Sequence, residues 1–229
     1  MLKEHKNRPL MPIPYDVLAK NYYRKKDYDN AIEYSLRGLK EGKQLPTFIA
    51  VAGKSMLRAQ KLDRFEEFLD LFSDGSLEEK CVTEVNNLAS EYCLKNKLDK
   101  AKKLLDTIFS TNVDSDSRIF PNINMALLLI KSKQEIPDSL KQALLEDLNT
   151  SYLNGNATPG LGISIILNHL DLLDDKDKYF LFFLKEMTLN ELDRFINMES
   201  LVKELITDEL QTNINKTHET LEKHHTDEE

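Results

Sequence analysis

Two pairs of cations recur along this chain: Lys20 with Arg24, and Lys54 with Arg58, each pair four residues apart and the second thirty-four residues after the first. Residues at i and i+4 share a helix face, so each pair occupies one turn and the two pairs hold equivalent places. Four cations stacked in this way are suited to gripping carboxylates or phosphates. Tyr23 and Leu57 sit beside them. They matter, because exposed ion pairs contribute roughly 0.2–1 kcal/mol each, against the ~8 kcal/mol that micromolar binding requires.

No other reactive side chains are arranged for chemistry. Cys81 and Cys93 are the only cysteines, in no CxxC spacing and with no histidine nearby in sequence, which predicts two reduced thiols. His5, His218, His224 and His225 lie in polar termini, and His169 stands near the end of a predicted helix. The acids Asp171, Asp174, Asp175 and Asp177 have the spacing of a solvated loop between two helices, not of a carboxylate pair held for proton transfer. Neither a glycine-rich phosphate loop nor a GxSxG or HExxH motif is present. The expectation is a non-catalytic chain with no cofactor and no metal.

The elements that must position the cations are helices. Seven Gly and seven Pro in 229 residues, 31% charged residues and long three-and-four apolar spacing predict an all-α chain. Residues 15–42 read as two amphipathic helices around the turn KKD, with Tyr15, Leu18, Ala19 and Tyr22 on the first and Tyr28, Ala31, Leu36 and Leu39 on the second. Ala19 and Ala31 allow close backbone approach. The pattern returns after Pro46, with Ile49, Ala52, Gly53 and Met56, then Leu62, Phe65, Leu69 and Phe72. Phe65 takes a place where a small residue is expected, which predicts a splayed pair or a displaced neighbour. A third copy has Val85, Leu88, Ala89 and Tyr92 before the turn KNK and Leu98, Ala101, Leu105 and Ile108 after it. A fourth contains Ala126 and enters its second helix through Pro137; a fifth starts near Pro159 with Leu161-Gly162 and Ile165.

This pattern resembles the tetratricopeptide repeat, a helical hairpin of about 34 residues. In the first copy Tyr15, Leu18, Ala19, Tyr22 and Ala31 match, while Ser35 stands where an aromatic is expected and Gly38 where an alanine is usual. The resemblance implies a right-handed superhelical solenoid of antiparallel hairpins that binds a segment of another protein in a groove lined by the first helices. Carried over by position, that groove receives Asp16, Lys20, Tyr23 and Arg24, then Ala50, Lys54, Leu57 and Arg58, then Asn86, Ser90 and Cys93. Of these, Lys20, Tyr23, Arg24, Lys54, Leu57, Arg58, Asn86 and Ser90 are the candidate peptide-binding residues. The two-carboxylate clamp that some members use for chaperone C-termini is absent, since its places hold Asp16, Lys20, Val51, Thr83 and Asn87. The alternative is a pentatricopeptide-like solenoid that binds single-stranded RNA.

Residues 1–13 are expected to be an extended lead-in, 14–187 the repeats, 188–216 capping helices that shield the last apolar face, and 217–229 an acidic tail without core positions. Charge is uneven: residues 1–110 hold 20 basic against 17 acidic side chains, and 111–229 hold 11 against 22. An anionic partner therefore suits the N-terminal half, and the overall charge of −8 disfavours nucleic acid. The apolar runs LGISIIL and YFLFFL fall short of the roughly 18 residues a membrane span needs. The N-terminus has no apolar signal-peptide core, so the chain is expected to be intracellular and cytoplasmic.

Overall fold

A computed structural model describes residues 14–227 apart from 44, 73–76, 113, 115, 174–175 and 198–200. Among the described residues every regular element is helical. The α-helices are α1 (Tyr15–Arg24), α2 (Tyr28–Lys40), α3 (Pro46–Ala59), α4 (Phe65–Asp70), α5 (Glu79–Leu94), α6 (Leu98–Ser110), α7 (Ile119–Lys131), α8 (Asp138–Asn154), α9 (Ala157–His169), α10 (Lys176–Glu186), α11 (Leu189–Asn197) and α12 (Asp208–Asp227). Short 3-10 turns occupy Leu62–Arg64, Asp116–Arg118 and Leu201–Leu205. The chain divides into two compact units, Met1–Val85 and Asn86–Glu229, with the boundary inside α5. The expected lead-in at 1–13 lies outside the described residues.

One turn is used after five odd-numbered helices, and again at Gly42 after α2. α1, α3, α5, α7 and α9 each end at a non-glycine residue in the left-handed region: Lys26, Gln60, Asn96, Lys133 and Asp171, with φ between 55° and 61°. The next residue's N–H then reaches back to a carbonyl five positions earlier: Asp27 to Tyr22, Lys61 to Met56, Lys97 to Tyr92, Gln134 to Leu129 and Leu172 to Leu167, all at 2.8–3.0 Å. The left-handed residue itself donates to the carbonyl three positions back in every case. This pair of bonds satisfies carbonyls that a helix end leaves open and reverses the chain. Its recurrence after the odd-numbered helices marks five helix-to-helix turns, including the one after α9.

In the first unit, Ala19 of α1, Ala31 of α2 and Val51 of α3 form one buried cluster, against which Tyr22, Tyr23 and Tyr34 pack. Small side chains here let three helices meet, and α1 touches both α2 and α3. The Tyr22 and Tyr34 rings stack at 5.3 Å between centroids. Gly38 is required by its neighbour: a Cβ there would lie 2.3 Å from Cζ of Phe48, which is itself buried. The splayed pair or displaced neighbour expected from Phe65 has no counterpart in these contacts, and what the structure shows at Phe65 is a short helix. The chain passes through the 3-10 turn at Leu62–Arg64 before α4, which is only six residues long. Phe65, Phe68 and Phe72 are all fully buried, with Phe68 and Phe72 edge to face at 4.9 Å.

The second unit repeats the logic with larger helices. α7 packs on α6, α8 and α9, and α9 on α8 and α10. Gly160 of α9 takes the ring of Phe183 from α10, since a Cβ there would meet it at 2.3 Å, whereas a Cβ on Gly162 would meet nothing nearer than 4.0 Å. α11 opens on a reciprocal cap: the Thr188 N–H donates to Glu191 Oε2 at 2.9 Å and the Glu191 N–H to Thr188 Oγ1 at 3.3 Å. Leu201 and Val202 of the following 3-10 turn are buried, and that turn packs on α9 while α12 packs on α10 and α11. α12 continues to Asp227, beyond residue 216 where the sequence reading ends the cap. One contact holding this extension is that of His218 Nε2 with Asp193 Oδ1 of α11, at 2.7 Å.

Two outcomes check this packing. Gln60→Gly removes the cost of a left-handed non-glycine residue and should stabilise by about 1 kcal/mol; Gly38→Ala should destabilise by about 1–3 kcal/mol through overpacking on Phe48. Urea unfolding of both variants should therefore give midpoint shifts of opposite sign, and shifts of the same sign would contradict the assigned turn or ring contact. Truncation after Thr188 removes Leu201 and Val202 from α9 and should yield an aggregating fragment on size-exclusion chromatography. A monodisperse, fully helical 1–188 fragment would contradict the capping role.

Candidate functional site

The candidate site is built on α1 and α3 of the first unit. Tyr23 is half-buried because its ring rests on the cluster of Ala19, Ala31 and Val51. The guanidinium carbon of Arg58, one turn from Lys54 on α3, lies 5.1 Å from the centroid of that ring. This is a cation–π contact, which contributes about 0.5–1 kcal/mol at an exposed site and orients the planar fork. Lys20 and Arg24 flank Tyr23 on α1 and are exposed; Lys54 and Leu57 are half-buried. Among the described residues Lys20, Arg24 and Arg58 take part in no ion pair. The structure thus brings Tyr23 and Arg58 together, from positions thirty-five residues apart in sequence.

Cations on α2 and at the first 3-10 turn with its preceding residue are treated differently. Arg64 donates to Glu33 Oε2 at 3.0 Å and to Glu67 Oε2 at 2.8 Å, and Lys40 donates to Glu67 Oε1 at 2.6 Å. Lys61 binds both carboxylate oxygens of Asp29, at 2.5 and 2.7 Å. Arg37 lies 5.7 Å from the centroid of Tyr34 and donates through Nε to Glu33 Oε1 at 2.8 Å. The Arg64 guanidinium, followed by the Lys40 ammonium, holds the Glu67 carboxyl down at about 2, and Arg37 with Arg64 lowers that of Glu33. A shallow depression over this region, lined by Asp29, Glu33, Lys61 and Arg64 among others, is therefore occupied by ions already paired with one another.

The remaining candidates lie in the second unit. Asn86 is buried, and its side-chain oxygen accepts from Asn124 Nδ2 of α7 at 2.9 Å, which makes it a rung between helices. Ser90 is half-buried on the same helix. Cys81 and Cys93 are buried and form no disulfide, and burial pushes both thiols up to about 11, which leaves them protonated at neutral pH. His218 stands between Asp193 at 2.7 Å and Glu222 at 3.6 Å, a contact across two helices with no local signal in the sequence. Among the described residues no cluster of three His, Cys, Asp or Glu could hold a metal ion, and no helix is long and apolar enough to cross a membrane.

Comparison of the chain with protein-family models, with curated proteins and with solved structures gave no match.

The ion network carries a pH dependence of definite sign. The folded-state pKa of Glu67, about 2, lies below the ordinary value of 4.5. The unfolded chain therefore takes up the proton first, so the stabilisation is complete above about pH 4.5 and is lost as pH falls from there towards 2. Glu33 acts in the same direction. Glu67→Gln should flatten the loss of stability in this window, measured as urea midpoints between pH 5 and about 2.5. An unchanged pH slope in the variant would show that Arg64 does not hold Glu67 as described.

Proposed function

We propose that the protein is a non-catalytic scaffold of tetratricopeptide-like hairpins that binds an acidic segment of another protein on the α1/α3 face of its first unit. One observation carries the reading: the segregation of neutralised from bare cations within that unit. Arg37, Lys40, Lys61 and Arg64 each have an internal carboxylate. Lys20, Arg24 and Arg58 have none among the described residues; Lys20 and Arg24 are exposed on the helix that carries Tyr23, and Arg58 lies over the Tyr23 ring. Bare like charges held close together repel one another, and an anionic ligand relieves that repulsion while gaining charge-assisted hydrogen bonds. The recurrent left-handed turn and the packing of α1 on α3 support the repeat part of the reading, since they give the first helices of two successive hairpins a shared face.

Anisotropy of fluorescein-labelled poly-L-glutamate, with labelled poly(U) RNA as the comparison, tests this on the full chain. Binding to polyglutamate is expected, weakening as salt rises from about 0.05 to 0.5 M, but less steeply than for a phosphate-tracking RNA binder. Lys20→Glu combined with Arg24→Glu should reduce affinity by on the order of tenfold or more, because charge reversal adds repulsion to the lost attraction. The helical circular dichroism should not change, as both side chains are exposed. Binding to poly(U) but not to polyglutamate would instead favour the RNA-binding solenoid.

A further inference from the structure

The first unit contains two arginines stacked on tyrosines, and they differ in one respect. Arg37 lies over Tyr34 at 5.7 Å, and its Nε donates to Glu33 Oε1 at 2.8 Å, so this guanidinium meets both a ring and a carboxylate. Arg58 lies closer over Tyr23, at 5.1 Å, but among the described residues no carboxylate meets its edge. A guanidinium has five N–H donors in one plane, more than contact with a single ring can occupy. Among the described residues the fork of Arg58 is therefore held beside a ring with no carboxylate partner.

We propose that Arg58 is the anchor of the α1/α3 face: it takes a carboxylate of the bound segment edge-on, in the manner in which Arg37 takes Glu33, with Tyr23 as the positioning residue that holds the fork. This rests on the proposed binding of an acidic segment and adds which residue selects the ligand and by what chemistry. A planar carboxylate matches a fixed planar fork with two parallel hydrogen bonds, whereas Lys20, a flexible point charge, attracts any anion without regard to shape. Lys20 and Arg24 then raise the local concentration of acidic segments, and Arg58 fixes the register of the one that stays. Tyr23 is suited to positioning because its ring is pinned by the buried cluster of Ala19, Ala31 and Val51. The orientation of the arginine is thus set by the same packing that sets the helices.

The test measures labelled poly-L-glutamate binding to the full-length parent, Arg58→Lys, Arg58→Ala, Tyr23→Phe and the Lys20→Glu/Arg24→Glu double variant. Arg58→Lys keeps the charge and removes the fork, so a weakening of about fivefold is expected, approaching the roughly tenfold loss expected for Arg58→Ala. Tyr23→Phe keeps the ring face and should bind within about twofold of the parent. Equal binding by Arg58→Lys and the parent, with the double variant still impaired, would overturn the anchor and leave a diffuse cationic face. No binding by the parent would overturn the anchor together with the proposed function. Circular dichroism of each variant guards against misfolding, and a folded Tyr23→Phe protein that loses binding as fully as Arg58→Ala would also contradict a role exerted through the ring face.

Discussion

Everything on the α1/α3 face depends on a contact between small side chains. Ala19, Ala31 and Val51 occupy the place where three helices converge, and the two alanines are fully buried. A longer side chain at either alanine would push α1 away from α2 or α3. With the three helices in contact, Tyr23 has a floor to rest on, and Arg58 of α3 comes within reach of its ring. A core constraint that carries no chemistry of its own therefore decides which surface residues become neighbours.

Charge placement supplies the second half of the logic. The net charge of the whole chain is −8, which taken alone argues for repelling an acidic partner. Local pairing reverses that inference. Around α2 and α4, Glu33, Glu67 and Asp29 consume the nearby cations, and the lowered carboxyl pKa of Glu67 follows directly from Arg64 and Lys40. On α1 and α3, Lys20, Arg24 and Arg58 take part in no ion pair among the described residues, and Leu57 beside them offers apolar surface that is insensitive to salt. In the proposed reading, recognition depends on the few groups left unneutralised at close range, because fields from charges more than about 8–10 Å away are screened at physiological ionic strength.

Much of this fold was legible in the sequence, for identifiable reasons. Helices were legible from three-and-four spacing, and the close-approach places from Ala19, Ala31, Ala89 and Ala101, all of which are buried. The turns KKD and KNK were found as breaks in that spacing, but their shared left-handed geometry was hidden because Lys26, Gln60, Lys133 and Asp171 lack the glycine that normally signals it. Gly38 stands out in sequence as a departure from the repeat, and its cause, the ring of Phe48, is visible only in three dimensions. Spacing puts Asn86 beside the core stripe, and its burial and its bond to Asn124, thirty-eight residues away on another helix, are visible only in three dimensions. The candidate cations were legible as a recurrence, whereas their division into bare and neutralised sets depends on side-chain contacts between helices that no spacing rule reports.

The central claim, that the bare cations of α1 and α3 form the binding face, is tested most directly by mapping a covalent contact. A hexaglutamate peptide carrying one benzoylphenylalanine is irradiated with the full chain, and the adduct is located by mass spectrometry. Adducts confined to residues 16–24 and 50–58, and competed away by unlabelled polyglutamate, are the expected result. Adducts on α2 and α4, or anywhere in the second unit, would contradict it.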